Sequence, residues 1–387
     1  MREPPDRVQR LPDQYFMGLL GRVAAAAAAE GEPLVDLGRG NPDVPPPPHV
    51  VEALSQSASR PEVHGYAPFR GLPELKRAVA ERYRDVYGVE LDPEREVAIV
   101  PGTKTALMEV ALVIAERGST ILLPDPGYPD YASAVALAGA RRVSLPLDSE
   151  AGYAPAFDAV GWRDVSLVYL NYPSNPTAAI APAGVFEETV RTAERTGAAV
   201  LHDFAYGDLV FDRHRPRSFL ATPGAREVGV ELFSMSKSYG MAGWRLGFLV
   251  GNAEIVRRVE LLQDHVLAGV FVPVQEAGIA ALRGPQDTVE ERRALYERRR
   301  DRALEALAGV DARGEGTFFV WFRLPEELDA DRLLAEHRVA VAPGQGFGDR
   351  GAGWARLSLA TPDERLELGL QRLSAALAVS PDTMARR

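Results

Sequence analysis

Glu231-Leu-Phe-Ser-Met-Ser-Lys-Ser-Tyr-Gly-Met-Ala-Gly-Trp-Arg-Leu-Gly-Phe-Leu-Val250 joins two apolar, strand-like runs through a glycine-containing loop. The first run delivers Ser234, Ser236 and Lys237 into that loop, and Arg245 follows eight residues after the lysine. A nucleophilic amine set between two hydroxyls and a guanidinium is what holding a phosphorylated aldehyde requires. Lysine is rare in the chain. Lys76, Lys104 and Lys237 stand against 41 arginines among 44 basic residues. A guanidinium stays protonated and cannot form a Schiff base, whereas a lysine amine can. Lys237 is therefore kept for its chemistry; the plain alternative is a surface lysine in a turn.

Outward from this loop, short apolar runs alternate with helical patterns. Strands are predicted at Val97–Val100, Thr120–Leu123, Val143–Leu145, Ser166–Leu170, Ala198–His202, Val230–Phe233 and Leu246–Val250. Helices fit between several of them, at Thr103–Arg117, Tyr131–Ala138, Val185–Thr196 and Glu254–Leu267. This alternation predicts an α/β fold with a mostly parallel sheet covered by helices on both faces. Before it, an arm and an alanine-rich helix lead to a short strand at Leu34–Leu37 and a stiff linker at Pro45–Pro48. Val50–Ser57 reads as a helix. So does Leu72–Tyr87, with Leu72, Leu75, Val79, Tyr83 and Val86 at helical spacing. After Pro273 come Arg- and Glu-rich helices, then strands at Phe318–Phe322, Val339–Val341 and Arg356–Leu359, a separate α/β lobe. We expect residues 1–45 to form an arm and part of the small domain, 46–285 a large domain and 286–387 a small C-terminal domain.

Composition narrows the function classes. A net charge of −10 disfavours nucleic-acid binding. The absence of cysteine excludes disulfides, thiolate metal sites and a cysteine nucleophile. The Ala24–Ala29 run is too short to cross a bilayer and lacks the layout of a signal peptide. The six histidines show no metal-ligand spacing, so no metal is expected, and His202 reads as a packed or orienting residue. A cytoplasmic location without membrane or nucleic-acid partners follows as the expectation.

In open α/β sheets, ligands bind beyond the carboxyl ends of strands. Four polar clusters fall at such ends. Pro101-Gly-Thr-Lys104 opens a helix, where backbone donors and the helix dipole suit a phosphate, or merely cap the helix. Leu170-Asn-Tyr-Pro-Ser-Asn-Pro-Thr177 braces two amides with prolines, or is a turn. Asp203, in His202-Asp-Phe-Ala-Tyr206, ends an apolar strand, where a carboxylate needs a cation: a protonated pyridine nitrogen, or a structural arginine. The Lys237 loop is the fourth. Together they offer what pyridoxal 5′-phosphate, used as an electron sink, demands.

Ser-x-Ser-Lys followed by Gly-Trp-Arg-x-Gly resembles the lysine signature of class I/II, fold-type I aminotransferases, and the resemblance runs from about Leu37 to about Leu359. It implies a large domain and a smaller one built from both termini, and a pyridoxal-phosphate-dependent transamination between an L-amino acid and a 2-oxoacid. By the motif, Lys237 is the Schiff-base lysine and proton carrier, and Asp203 partners the ring nitrogen. Tyr206 and Asn175 serve the ring hydroxyl. Gly102, Thr103, Lys104, Ser234, Ser236 and Arg245 hold cofactor, chiefly its phosphate, and Tyr128 stacks on the ring. Tyr66, in Gly-Tyr-Ala-Pro-Phe-Arg-Gly, reaches the phosphate from a second subunit, which implies a homodimer with shared sites. Arg356 grips the substrate carboxylate, with Gly40 and Asn175 beside it.

The family usually shows Asn-Pro-Thr-Gly where this chain has Ala178, and an asparagine where it has Gly240. The resemblance narrows to the LL-diaminopimelate and alanine (glutamate–pyruvate) aminotransferase group, through His64-Gly-Tyr66, Ser174-Asn-Pro-Thr-Ala178, His202-Asp-x-Ala-Tyr206 and Pro343-Gly-x-Gly-Phe-Gly-Asp349. The expected amino donor is glutamate, alanine or an acidic or diamino acid. Arg39 stands where the family places a usually apolar, substrate-facing side chain, and is expected to bind the distal carboxylate of glutamate or of a longer acidic substrate; pointing to solvent or pairing with an acid is the alternative. Gln345 is a further expected pocket residue. No arginine occurs in Leu261–Val272, which disfavours a strict aspartate enzyme. A fold-type I lyase, cyclase or decarboxylase is the competing reading, since the cofactor residues are common to both. Gly346-Phe-Gly-Asp-Arg-Gly351 satisfies GxGxxG after a strand-like run, but no helix opens directly from it and no acidic residue about 20 residues on closes a βαβ unit, so a dinucleotide site is not expected.

Overall fold

The computed structural model describes residues 3–378. Its large sheet contains β1 (Val97–Val100), β2 (Thr120–Asp125), β3 (Arg141–Asp148), β4 (Ala154–Pro155), β5 (Val165–Asn171), β6 (Ala199–Asp203), β7 (Gly229–Ser234) and β8 (Gly247–Gly251). They lie in the order β1-β8-β7-β6-β5-β2-β3-β4. From β7 to β3 the pairing is parallel. Such strands are buried on both faces, which is why β2 and β7 read as nearly unbroken apolar runs.

Strand β8 is the exception that positions the site. It runs antiparallel between β1 and β7, pairing Gly247 with both Val100 and Ser234. The turn carrying Arg245 therefore arrives at the edge where β1 and β7 release Gly102 and Lys237.

Helices of eight or more residues are α1 (Tyr15–Ala28), α2 (Pro48–Ala58), α3 (Pro73–Arg82), α4 (Thr103–Ile114), α5 (Tyr131–Ala138), α6 (Val185–Thr196), α7 (Ala253–Val266), α8 (Val272–Arg283), α9 (Asp287–Ala306) and α10 (Asp363–Ala378). Alternate residues of β1 enter opposite cores, Val97 and Ile99 on one face of the sheet and Ala98 and Val100 on the other. A second, antiparallel sheet holds β9 (Ala312–Arg313), β10 (Phe319–Arg323), β11 (Ala342–Pro343) and β12 (Trp354–Ser358), in the order β9-β10-β12-β11. Its core gathers Tyr296 and Ala303 of α9, Leu366, Leu370 and Leu373 of α10, and Val35 and Leu37 from near the chain start. Val35–Asp36 pairs parallel with Val339–Ala340, so both ends of the chain build this unit.

The ranges of α5 and α6 coincide with the sequence reading, and most strands shift by one or two residues. The predicted helix Leu72–Tyr87 is α-helical only to Arg82; Tyr83–Tyr87 is a single π-turn closed by Gly88. The wider turn sends Tyr83 and Tyr87 inward, to Glu231 and Asp208, and leaves Val86, read as part of the apolar stripe, 44% exposed. Helix α4 stops at Ile114 rather than Arg117, where Ala115 turns extended. The two departures from the family pattern are both left-handed: Gly240 has φ 70° and Ala178 φ 56°. Glycine and asparagine tolerate that region, whereas alanine there carries a local backbone cost of about 1–2 kcal/mol. The GxGxxG stretch forms two 3-10 turns, Gly344–Phe347 and Asp349–Gly351. A Cβ on Gly346 would strike the Tyr15 ring and one on Gly348 the Asp125 carboxylate. Those glycines are explained by close packing.

Candidate active site

A cavity of about 350 Å³ opens at this carboxyl edge, lined by the Lys237 loop, Thr103, Lys104, Asn175, Asp203, Tyr206, Arg245 and Arg356. Ser234, the last residue of β7, caps the short turn Met235–Ser238, its Oγ accepting from the Ser236 N–H at 3.2 Å. The Lys237 Nζ lies 5.6 Å from the Tyr206 ring centre and 5.3 Å from that of Phe318. Burial, then the Arg356 and Arg245 charges, bring its amine down from 10.5 to about 8, against the opposing pull of Asp203.

Asp203 ends β6. Its Oδ2 accepts from the Tyr131 hydroxyl at 2.7 Å and its Oδ1 from the Ala205 N–H at 3.2 Å. Burial raises its carboxyl above the ordinary range, with the Tyr131 hydrogen bond acting in the other direction. Such a group calls for a cation facing it in the cavity.

On the opposite side, Arg356 of β12 is 1% exposed. Its Nη1 donates to Asn175 Oδ1 at 2.7 Å and its Nη2 to the Gly38 carbonyl at 3.0 Å, while Nε finds no partner. The guanidinium lies 3.8 Å from the Phe319 ring centre and 4.9 Å from that of Phe347. Burial pulls its pKa down to about 10. Among the described residues no carboxylate forms an ion pair with it, so the arrangement suits an incoming anion. Gly40 is tight against this assembly, since a Cβ there would come within 2.9 Å of the Phe319 ring.

Gly102 (φ 84°) turns the chain from β1 into α4, and a Cβ on it would stand 2.2 Å from the Arg245 Nη2. Only glycine lets the guanidinium lie against the start of that helix. Helix N–H groups, the Ser234 and Ser236 hydroxyls and Arg245 thus share one corner. Lys104 lines the cavity with its Nζ 2.9 Å from Asp130 Oδ2. Tyr128 and Arg39 line it too, Arg39 with an exposed side.

Two expected residues lie outside the lining of this chain's own cavity. Tyr66 is 89% exposed and does not line this cavity. Gln345 is also exposed and outside the lining: the turn Gly344–Phe347 directs Phe347, not Gln345, to Arg356. Conversely, Phe16, Leu19 and Leu20 of α1 line the cavity without having been singled out, while Asn171, the other amide of the proline-braced loop, lines it beside Asn175. The apolar run Tyr15-Phe16-Met-Gly-Leu-Leu20, at the end of a mostly polar arm, was the available signal. His202 is wholly buried between Glu231 Oε2 (2.8 Å) and the Tyr172 carbonyl (3.0 Å), a packed residue as read.

Residues 32–373 match the model of the family described as aminotransferase class I and II. The chain belongs to this family. It is 43% identical over 376 residues to the L-glutamine–4-(methylsulfanyl)-2-oxobutanoate aminotransferase of Bacillus subtilis, covering 95% of this chain and 94% of that one. It is 38% identical to an LL-diaminopimelate aminotransferase of Dehalococcoides mccartyi, over 95% and 97% of the two chains. The substrate-bound BacF structure from Bacillus subtilis superposes with a TM-score of 0.92 at 38% identity, covering 97% of this chain and 98% of that one. The aminotransferase thus has the fold-type I architecture and moves an amino group between an amino acid and a 2-oxoacid, in a family that is generally pyridoxal-phosphate-dependent.

Proposed function

We propose that this aminotransferase holds pyridoxal 5′-phosphate in the cavity around Lys237 and works as a homodimer on polar-ended L-amino acids, glutamate among them, and 2-oxoacids. The convergence of Lys237, Asp203 and Arg356 on one cavity carries the reading. The residues present fit the cofactor. Gly102, Thr103, Ser234, Ser236 and Arg245 would take its phosphate, with Lys104 at the rim held by Asp130. Asp203 would face the ring nitrogen, Asn175 and Tyr206 the ring oxygen, and Tyr128 the ring face. Lys237 would anchor the aldehyde carbon. When bound, the cofactor supplies an electron sink for the pair left on Cα after proton removal.

The chain's own residues do the rest. Arg356 and Asn175, beside Gly40, receive the α-carboxylate and so fix where Cα stands. Lys237, with its amine brought to about 8, has a neutral fraction near neutral pH that can take the Cα proton and hand it on. Tyr66 is assigned to the phosphate of the partner's site, a role its exposure permits. The relatives' names, one acting with L-glutamine and one with LL-diaminopimelate, support a polar-ended amino donor. We further assign residues 46–285 to the large domain and the remainder to the small one, and place the enzyme in the cytoplasm; among the described residues no helix is long and apolar enough to cross a membrane.

Mixing purified holoenzyme with glutamate, glutamine, alanine or diaminopimelate, without an acceptor, should bleach the cofactor's visible absorbance and release one 2-oxoacid per site. Release of ammonia together with an oxoacid, at repeated turnover and with the absorbance retained, would instead establish the lyase chemistry.

A further inference from the structure

Five cations line the cavity: Arg39, Lys104, Lys237, Arg245 and Arg356. Four have assignments. Lys104 is paired with Asp130, Lys237 is the reactive amine, Arg245 sits in the phosphate corner and Arg356 is held by Asn175 and the Gly38 carbonyl. Arg39 is left over. Among the described residues, no ion pair or hydrogen bond engages its guanidinium. Asp36, the carboxylate nearest in sequence, uses Oδ1 to accept from the Gly38 N–H at 2.9 Å and so shapes the turn rather than neutralising the arginine.

Place and polarity matter together. The Gly38 carbonyl is bound by Arg356, so Arg39 projects from a backbone fixed beside the carboxylate clamp. Helix α1 contributes Phe16, Leu19 and Leu20 to the same cavity, and Phe16 lies 5.5 Å from the Arg356 guanidinium. Beside the clamp the cavity thus offers a substrate side chain an apolar wall and a guanidinium that, among the described residues, no ion pair engages.

We propose that Arg39 is the specificity-determining residue of the side-chain subsite, binding a carboxylate, and more weakly a carboxamide, at the far end of an amino acid whose methylene stem packs on Phe16, Leu19 and Leu20. The proposal rests on the transaminase reading and names its substrate class. A charge-assisted hydrogen bond outweighs a neutral one, which ranks the carboxylate above the amide. The methylenes gain from the apolar wall, which favours a stem of two or more carbons over the single carbon of aspartate.

The test compares wild type with Arg39→Leu and Arg39→Lys holoenzyme, reading kcat/KM for glutamate, glutamine and leucine. Dissociation constants for glutarate and pentanoate, which differ only in the distal carboxylate, are measured alongside. In Arg39→Leu the glutamate-to-leucine ratio is expected to fall about tenfold or more. Glutarate's advantage over pentanoate should close, and Arg39→Lys should restore part of both. A ratio that Arg39→Leu leaves where it was, or equal losses for glutamate and leucine, would overturn the assignment. The binding pair separates the two readings. If no donor transfers its amino group yet glutarate still outbinds pentanoate through Arg39, transamination fails while the anionic subsite stands.

Discussion

An ammonium at Lys237 would have to sit in a desolvated cavity beside two guanidinia, and that conflict sets its pH behaviour. With its pKa brought from 10.5 to about 8, the folded cofactor-free chain releases a proton that the unfolded chain keeps. Between about pH 8 and 10.5 the unfolded state binds more protons, so this residue makes stability rise with pH across that window. In chemical denaturation of the cofactor-free forms, the stability of wild type relative to Lys237→Met should rise from the lower to the upper end of the window, since the buried tyrosines, whose raised pKa values work in the opposite direction, act on both alike. The same substitution is expected to lower turnover by at least about 10²–10⁴-fold, the range for losing a proton carrier alone. Asp203 carries a second expectation through Tyr131, whose hydroxyl lies 2.7 Å from Oδ2. Tyr131→Phe removes a hydrogen bond to a charged group and should cut kcat/KM about tenfold, by roughly 1.5 kcal/mol. It should also change the pH dependence of the cofactor's absorbance, which a purely structural loss would not. Lys237 and Asp203 were legible in the sequence because each is expensive where it stands. Tyr131 was not, since an aromatic at the start of a helix reads as core until its hydroxyl is seen to have a partner.

Elements were legible where a period was clean and ambiguous where a polar group is buried for structural reasons. Glu231 sits in the middle of β7, a strand read from its apolar neighbours. Its carboxylate accepts from the Tyr83 hydroxyl, the Ser218 hydroxyl, the Phe219 N–H and His202 Nδ1, at 2.8 to 2.9 Å. The partners come from the π-turn, the Ser218–Phe219 segment and β6. One side chain thus fastens three elements to the strand that delivers Lys237. Arg82 and Asp208 form a second buried pair at 2.6 Å under the Tyr206 turn, with Arg82 also 5.6 Å from the Tyr239 ring centre. Tyr206 and Lys237 are each two residues from such an anchor. Glu231→Ala would leave several donors buried without an acceptor, and a loss of about 3–5 kcal/mol is expected, read as a lower denaturant midpoint. Glu231→Gln keeps the shape and two acceptor sites and should lose less. The π-turn escaped the sequence reading for the same reason: Tyr83 and Tyr87 obey helical spacing, and only their hydroxyl partners call for the wider turn.

At the scale of the whole molecule, strand alternation and the ends of strands made the large sheet and its binding edge readable, while the assembly depends on surfaces that periodicity does not describe. Tyr66, Phe69 and Phe271 are 89%, 50% and 44% exposed. His64 lies 6.0 Å from the Phe271 ring centre, and Gly269 packs against Ala67 and Pro68, so these side chains share one face. Large exposed aromatics grouped on one face are the mark of an interface. If a second copy covers them, each site takes Lys237 from one protomer and Tyr66 from the other, and the two mutations should complement. Tyr66→Ala is expected to loosen cofactor retention about tenfold through the lost hydroxyl contact, and Lys237→Ala to abolish turnover. In a mixed dimer one site carries both changes and the other carries neither. After random exchange of equal amounts, half the dimers are mixed and about a quarter of all sites are wild type. Activity near that fraction, at a cofactor concentration too low to rescue Tyr66→Ala alone, would establish shared sites. A mixture no more active than the average of its parents would show each chain building its site alone and return Tyr66 to the solvent.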